Sequence, residues 1–304
     1  MSRWPHRGPE GISLQYHPPM QGTASKTAMM VAAYRARASR RPNPLFDDPW
    51  ADALAGSEGH ALAEQMDALQ PSMELWIAVR TAFIDRRIRH FVGPRCGFTQ
   101  VVILGAGLDT RAARLARPGV RFFEVDHPAT QAEKHRRTAA LAGFPNDAAV
   151  RVPCDFERDD FLDVLVGAGF RADAPAAIVW EGVSCYLTEA AVRGTLGRIA
   201  RGCASRTSVV FDTIGTKMVK GTSKNPEDLD TSRMVDALAE PVQWGTDDPL
   251  PLLFEEGLRK VAATTFDEAG LDLTGTYDRS RRWRFQHMVT ASVAAPELVD
   301  EDAA

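Results

Sequence analysis

A run of apolar, mostly β-branched residues, Gln100-Val-Val-Ile-Leu104, stops at Gly105-Ala-Gly107. A second run, Phe122-Phe-Glu-Val125, ends in Asp126. This spacing predicts a strand, a tight glycine turn, a helix and a second strand, which is half of a nucleoside-binding α/β sheet. Gly105 and Gly107 let the backbone turn sharply and approach a ligand with no Cβ in the way. Asp126, about 20 residues beyond the first glycine, stands where a carboxylate accepts hydrogen bonds from ribose hydroxyls. The third glycine of the dinucleotide fingerprint is absent, and Asp109 occupies the place where the following helix should open. A helix N-terminus attracts pyrophosphate, and a carboxylate placed there repels it. Asp109 suits instead a ligand end that carries an ammonium and a sulfonium. The pattern points to S-adenosylmethionine as cofactor and away from NAD.

Around this segment, strands are predicted near 99–104, 121–125, 149–153, 176–181 and 206–212. Helices are predicted near 109–117, 128–142, 158–168 and 188–203. Such alternation makes a parallel, doubly wound sheet with helices on both faces. Beyond it, Leu250 to Gly270 reads as one helix, and Leu271–Tyr277 and Arg284–Val293 read as an antiparallel pair joined through Asp278-Arg-Ser280. The expected fold is α/β: a seven-stranded, mostly parallel sheet of the class I methyltransferase type. Residues 1–22 read as a mobile tail and 296–304 as a loose one. Between them lies one domain, 23–295. It comprises an N-terminal helical cap (23–97, with a long helix over Pro71–Val92), a cofactor-binding half (98–213), a lid insert (214–249, with a helix near 228–239) and the C-terminal helix and strand pair (250–295). The cap and insert are too small for cores of their own and are expected to cover the C-terminal edge of the sheet, where open α/β folds bind ligands.

Composition narrows the function classes. A net charge of −4 argues against nucleic-acid or membrane-surface binding. No run of about 18 apolar residues suggests a membrane span. Four cysteines without CxxC spacing argue against a zinc site or a disulfide scaffold. A reduced, cytoplasmic protein with a small-molecule acceptor and no metal is expected; the oligomeric state is not readable.

Further blocks lie in order along the chain: Ser25-Lys-Thr-Ala28, Leu45-Phe-Asp-Asp-Pro49, Val79-Arg-Thr81, Leu104 to Leu115, Phe123 to Pro128, Cys154-Asp-Phe156 and Trp180 to Thr188. With these the chain resembles the leucine carboxyl methyltransferase family, especially its bacterial branch of S-adenosylmethionine-dependent O-methyltransferases linked to polyketide metabolism. The resemblance implies that Lys26 and Arg80 hold the cofactor's methionine carboxylate. It makes Gly105 and Gly107 the glycine turn and Asp126 the ribose acid. It sets Asp155 and Phe156 beside the adenine and Glu181 near the amino-acid end. Members of that branch often carry Leu where this chain has Phe156.

Each residue also has a plainer reading. Arg80 could sit on a solvated helix face or in an i,i+4 pair. Asp155 could cap the next helix, and Glu181 could be a buried acid paired with an arginine. Tyr186 either positions the acceptor or merely packs. His127 and His135 read as loop and helix-surface residues, with His127 a possible neighbour of the sugar, and Asp47-Asp48-Pro49 as a turn and helix cap. Methyl transfer needs alignment and electrostatics, and a carboxylate acceptor needs no general base. Carboxyl O-methylation of a small acid is therefore the expected activity. A phenol acceptor, an NAD-dependent oxidoreductase and a non-catalytic binding protein are the alternatives.

Overall fold

The computed structural model describes residues 26–156, 158–223, 242–276 and 285–294. Three helices come first: α1 (Lys26–Ser39), α2 (Ala51–Leu69) and α3 (Met73–Phe91). The alternation then runs β1 (Gln100–Leu104), α4 (Arg111–Arg114), β2 (Arg121–Asp126), α5 (Pro128–Ala139), β3 (Ala149–Pro153), α6 (Phe161–Gly167) and β4 (Ala177–Trp180). A 3₁₀ turn (Ser184–Tyr186), α7 (Glu189–Gly202), β5 (Ser208–Ile214) and α8 (Thr216–Val219) follow. The chain closes with α9 (Leu250–Glu255), β6 (Leu258–Thr265), α10 (Phe266–Thr274) and β7 (Gln286–Val293).

The seven strands lie in the order β3-β2-β1-β4-β5-β7-β6. β1 to β5 are parallel, and β7 runs antiparallel to both β5 and β6. This is a class I methyltransferase-like fold with an N-terminal helical cap. Every residue of β1 and β5 is buried, as strands covered on both faces require. On one face Val101, Ile103, Phe122, Val179, Val210 and Met288 join α1 and α3 through Met30, Ile77, Ile84 and Ile88. On the other face Val102, Leu104, Phe123, Ile178 and Phe211 pack with Leu162, Leu165, Leu196 and Ile199 of α6 and α7.

Two expectations are corrected. The single helix read over Leu250–Gly270 is a short helix, a strand and the start of another helix. Gly257, at φ 92°, ends α9, and the β-branched content of Val261, Thr264 and Thr265 favours the strand. Of the strand expected over Leu271–Tyr277, residues 271–274 are instead the last turn of α10, capped by Gly275 in the left-handed conformation, and Tyr277 lies outside the described residues. The antiparallel pair does close the sheet, but as β6 and β7. After Asp47-Asp48-Pro49, α2 is kinked at Gly56, whose φ of 61° is non-helical, so a short first stretch precedes the longer one that ends at Leu69. The two tails, the helix near 228–239 and the Asp278–Ser280 connection lie outside the described residues. No helix among the described residues is long and apolar enough to cross a membrane.

Candidate active site

The sharp turn after β1 is built around Asp126. Gly105 and Ala106 both donate to the Val125 carbonyl, at 2.9 and 3.1 Å, and Asp126 Oδ2 accepts the Gly107 N–H at 2.6 Å. Gly105 has φ 65°, and a Cβ there would come within 2.6 Å of Val183; no side chain fits. Asp126 Oδ1 accepts the His127 N–H at 2.7 Å. Burial raises the carboxyl's pKa above the ordinary range against the pull of these two N–H groups. The imidazole of His127 accepts the Ala129 N–H, so it serves as the cap of α5.

Above the turn lies a cavity of about 360 Å³. Its floor is the C-terminal edge of the sheet: Ile103 to Asp109, Asp126, Glu181 to Val183 and Ile214. Its roof is the cap. Met73, Trp76 and Arg80 share one stripe of α3, and Met30, Val31 and Arg35 come from α1. Met218 and Val242 line it from the two ends of the insert, with Phe285 and Gln286 beside β7.

Of the residues singled out in the sequence, Arg80, Gly105, Gly107, Asp109, Asp126, Phe156, Glu181 and Tyr186 all line this cavity. Phe156 is 46% exposed. Lys26 is not in the lining; it is the exposed first residue of α1, adjacent to Thr27 and Ala28, which are. Asp155 also stays outside the lining. Its backbone N–H donates to Asp159, and its carboxylate lies 3.6 Å from Arg158.

Asp109 corrects the sequence reading of its charge, because it is not a bare carboxylate. Arg111, two residues on, donates its backbone N–H and a guanidinium N–H to it. Burial alone would raise the Asp109 pKa, but Arg111, with Arg35 and Lys134 farther off, holds it at about 2. Glu181, whose side chain is 12% exposed, is likewise kept below its ordinary range by Arg111 and Arg80, whose nitrogens approach to 2.5 and 2.8 Å. Arg80 stacks on Trp76 and pairs with Asp212 at 2.9 Å. The helix-surface reading of Arg80 therefore fails, and the paired-acid reading of Glu181 holds alongside its place in the cavity wall.

These pairs belong to one buried network. Asp85 on α3 accepts from Arg111 and Arg114. Arg114 also approaches Asp48, which accepts from Arg35 and Thr110 and, as expected, from the first N–H groups of α2. Four arginines (35, 80, 111, 114) thus face five carboxylates (48, 85, 109, 181, 212) from the cap, the glycine turn and two strand ends. Desolvating so many charges is tolerable only because each is paired. The network joins the cap to the sheet at the cavity wall, with five carboxylates to four guanidinium groups among the described residues. Trp76, Asp212 and Gln286 were missed in the sequence. The signals were slight: the spacing of Met73, Trp76 and Arg80, an acid within an apolar strand, and an amide opening an alternating one.

A glycine turn locked by a strand-end carboxylate, in this strand order, is the arrangement of the class I methyltransferase fold. The leucine carboxyl methyltransferase family model matches residues 28–200, and the chain belongs to that family. A candidate S-adenosyl-L-methionine-dependent methyltransferase of Mycolicibacterium vanbaalenii is 33% identical over 85% of this chain and 86% of its own length. One from Parafrankia sp. is 39% identical over 54% of each chain; with several such relatives the chain spans only about half of their length. The crystal structure of a candidate methyltransferase from Thermobifida fusca superposes with a TM-score of 0.61 at 17% identity, covering 93% of this chain and 100% of that one. The last of these likenesses concerns the fold alone.

Proposed function

We propose that this protein is an O-methyltransferase that esterifies a carboxylate of a small, largely apolar acid of polyketide type. The observation that carries the reading is the state of the carboxylates at the cavity's centre. Asp109 and Glu181 are held ionised by guanidinium groups, which makes them poor proton acceptors. An acceptor that arrives already ionised suits such a wall better than a phenol, whose pKa of about 10 calls for a base. The apolar side chains of Met30, Met73, Trp76, Ile214, Met218 and Phe285 suit an acid with a hydrocarbon body.

The residues present fit the cofactor. Asp126 would accept the ribose hydroxyls, and Gly105 and Gly107 would admit the nucleoside against the backbone. Phe156 would lie against the adenine, with Asp155 meeting its amine. Arg80, whose Nη1 donates to Asp212 and whose Nε lies 2.8 Å from Glu181 without a hydrogen bond, would meet the methionine carboxylate through its guanidinium edge, with Lys26 closing from the start of α1. Glu181 and Asp109 would hold the ammonium, and the network's surplus of carboxylates over guanidinium groups would favour the cationic end. When bound, S-adenosylmethionine supplies a methyl group on a cationic sulfur: attack by a carboxylate oxygen forms the C–O bond as the C–S bond breaks, its electron pair staying on sulfur. Tyr186, in the cavity wall, would help position the acceptor. Incubation with methyl-tritiated cofactor and matched panels of acids and phenols tests the reading. Label should enter the acids as base-labile methyl ester; base-stable label on phenols alone would overturn it.

A further inference from the structure

Gln286 opens β7 opposite Ile214 of β5. The cavity runs along the sheet edge in strand order, from Asp126 on β2 past the glycine turn and Glu181 to Ile214 and then Gln286. Asp126 and Phe156 mark the nucleoside end, so Gln286 stands at the opposite end. Gln286 is only 5% exposed, yet it is part of the cavity wall. Its carbonyl Oε1 is buried with no hydrogen-bond partner among the described residues. Buried amide groups are seldom left unpaired, since burial costs them their water. Ile214, Met218, Val242 and Phe285 at this end are apolar; Cys185 and Tyr186, whose carbonyls are bonded by Gln243 beside Val242, also line the cavity, and neither is bonded to Oε1.

We propose that Gln286 determines acceptor specificity, selecting acids that carry a hydroxyl group remote from the methylated carboxylate. The proposal rests on the carboxylate reading above and names the substrate class. The group that meets Oε1 must donate a proton, which an ionised carboxylate cannot do. A hydroxyl donates to Oε1 and can also accept from the amide nitrogen, satisfying both halves of the side chain. An acid without the hydroxyl would leave Oε1 desolvated and unpaired in the complex, and sites built around a hydrogen bond reject such analogues strongly.

Matched pairs test this: ω-hydroxydecanoate against decanoate, and p-hydroxyphenylpropionate against phenylpropionate. Their binding to the S-adenosylhomocysteine complex is measured by calorimetry. The wild type should prefer the hydroxylated member of at least one pair by about tenfold or more. Gln286→Met and Gln286→Leu, each first shown to bind S-adenosylhomocysteine, should bring that ratio close to one. Absence of a preference in the wild type overturns the proposal even if both variants fail to fold, and so does a preference that persists in either variant. If the complex binds phenols but none of the four acids, the carboxylate reading falls and takes this inference with it.

Discussion

Asp109 shows how far a single residue can be understood from its neighbours in sequence. Its position after the glycine turn was legible, and so was its place in the cavity wall. Its neutralisation depends on Arg111, whose other partners, Asp85 and Glu181, come from distant parts of the chain. Local spacing cannot reveal such pairs; Arg80 and Asp212 are 132 positions apart. Gly105, Gly107 and Asp126 were legible because their chemistry is local: a turn that excludes Cβ and a carboxylate that closes it. The network has a consequence for pH. Asp48, Asp109 and Glu181 all have folded pKa values below their ordinary range. The stability they contribute is complete above the unfolded values, near 4, and is lost as pH falls through the folded ones. Glu124 and Asp126 are shifted upward by burial, so they act in the opposite sense and blunt the slope. Between pH 5 and pH 2 the wild type should lose on the order of 2 kcal/mol more unfolding free energy than Asp109→Asn. Urea titrations at stepped pH measure the difference, and parallel acid limbs would mean that Arg111 does not hold the Asp109 charge.

At the scale of elements, the parallel half of the sheet was read almost residue for residue. Buried strands such as Val101–Leu104 and Ala177–Trp180 are uninterrupted apolar runs set between turn signals, and α5, α6 and α7 carry side-chain caps. The C-terminal part was misread because Leu250 to Leu273 holds apolar residues at both helical and strand spacing. Gly257 and the capping box of Thr265 with Glu268 were the signals that separate β6 from α10. Thr265 Oγ1 accepts the Glu268 N–H, and Glu268 returns the bond to the Thr265 N–H at 2.8 Å. Thr265→Ala should therefore cost about 1 kcal/mol of stability. Urea unfolding of the variant checks this, and an unchanged midpoint would show that the box does not hold the helix end.

At the scale of the whole molecule, the described residues combine a sheet whose edge floors the cavity with a helical cap that roofs it. The buried ion network joins the two at the cavity wall. Cap residues such as Met73 and Trp76 could be placed in helices from the sequence, but their convergence on one cavity depends on how α1 and α3 lie over the sheet, which no local pattern records. The proposed function requires that this cavity take S-adenosylmethionine with Asp126 as an anchor. Calorimetric titration of S-adenosylhomocysteine into the wild type and into Asp126→Ala tests it most directly. The wild type should bind at one site, unaffected by excess NAD, with affinity at least about tenfold weaker in the variant. No binding by the wild type, or equal affinity in the two proteins, would contradict it.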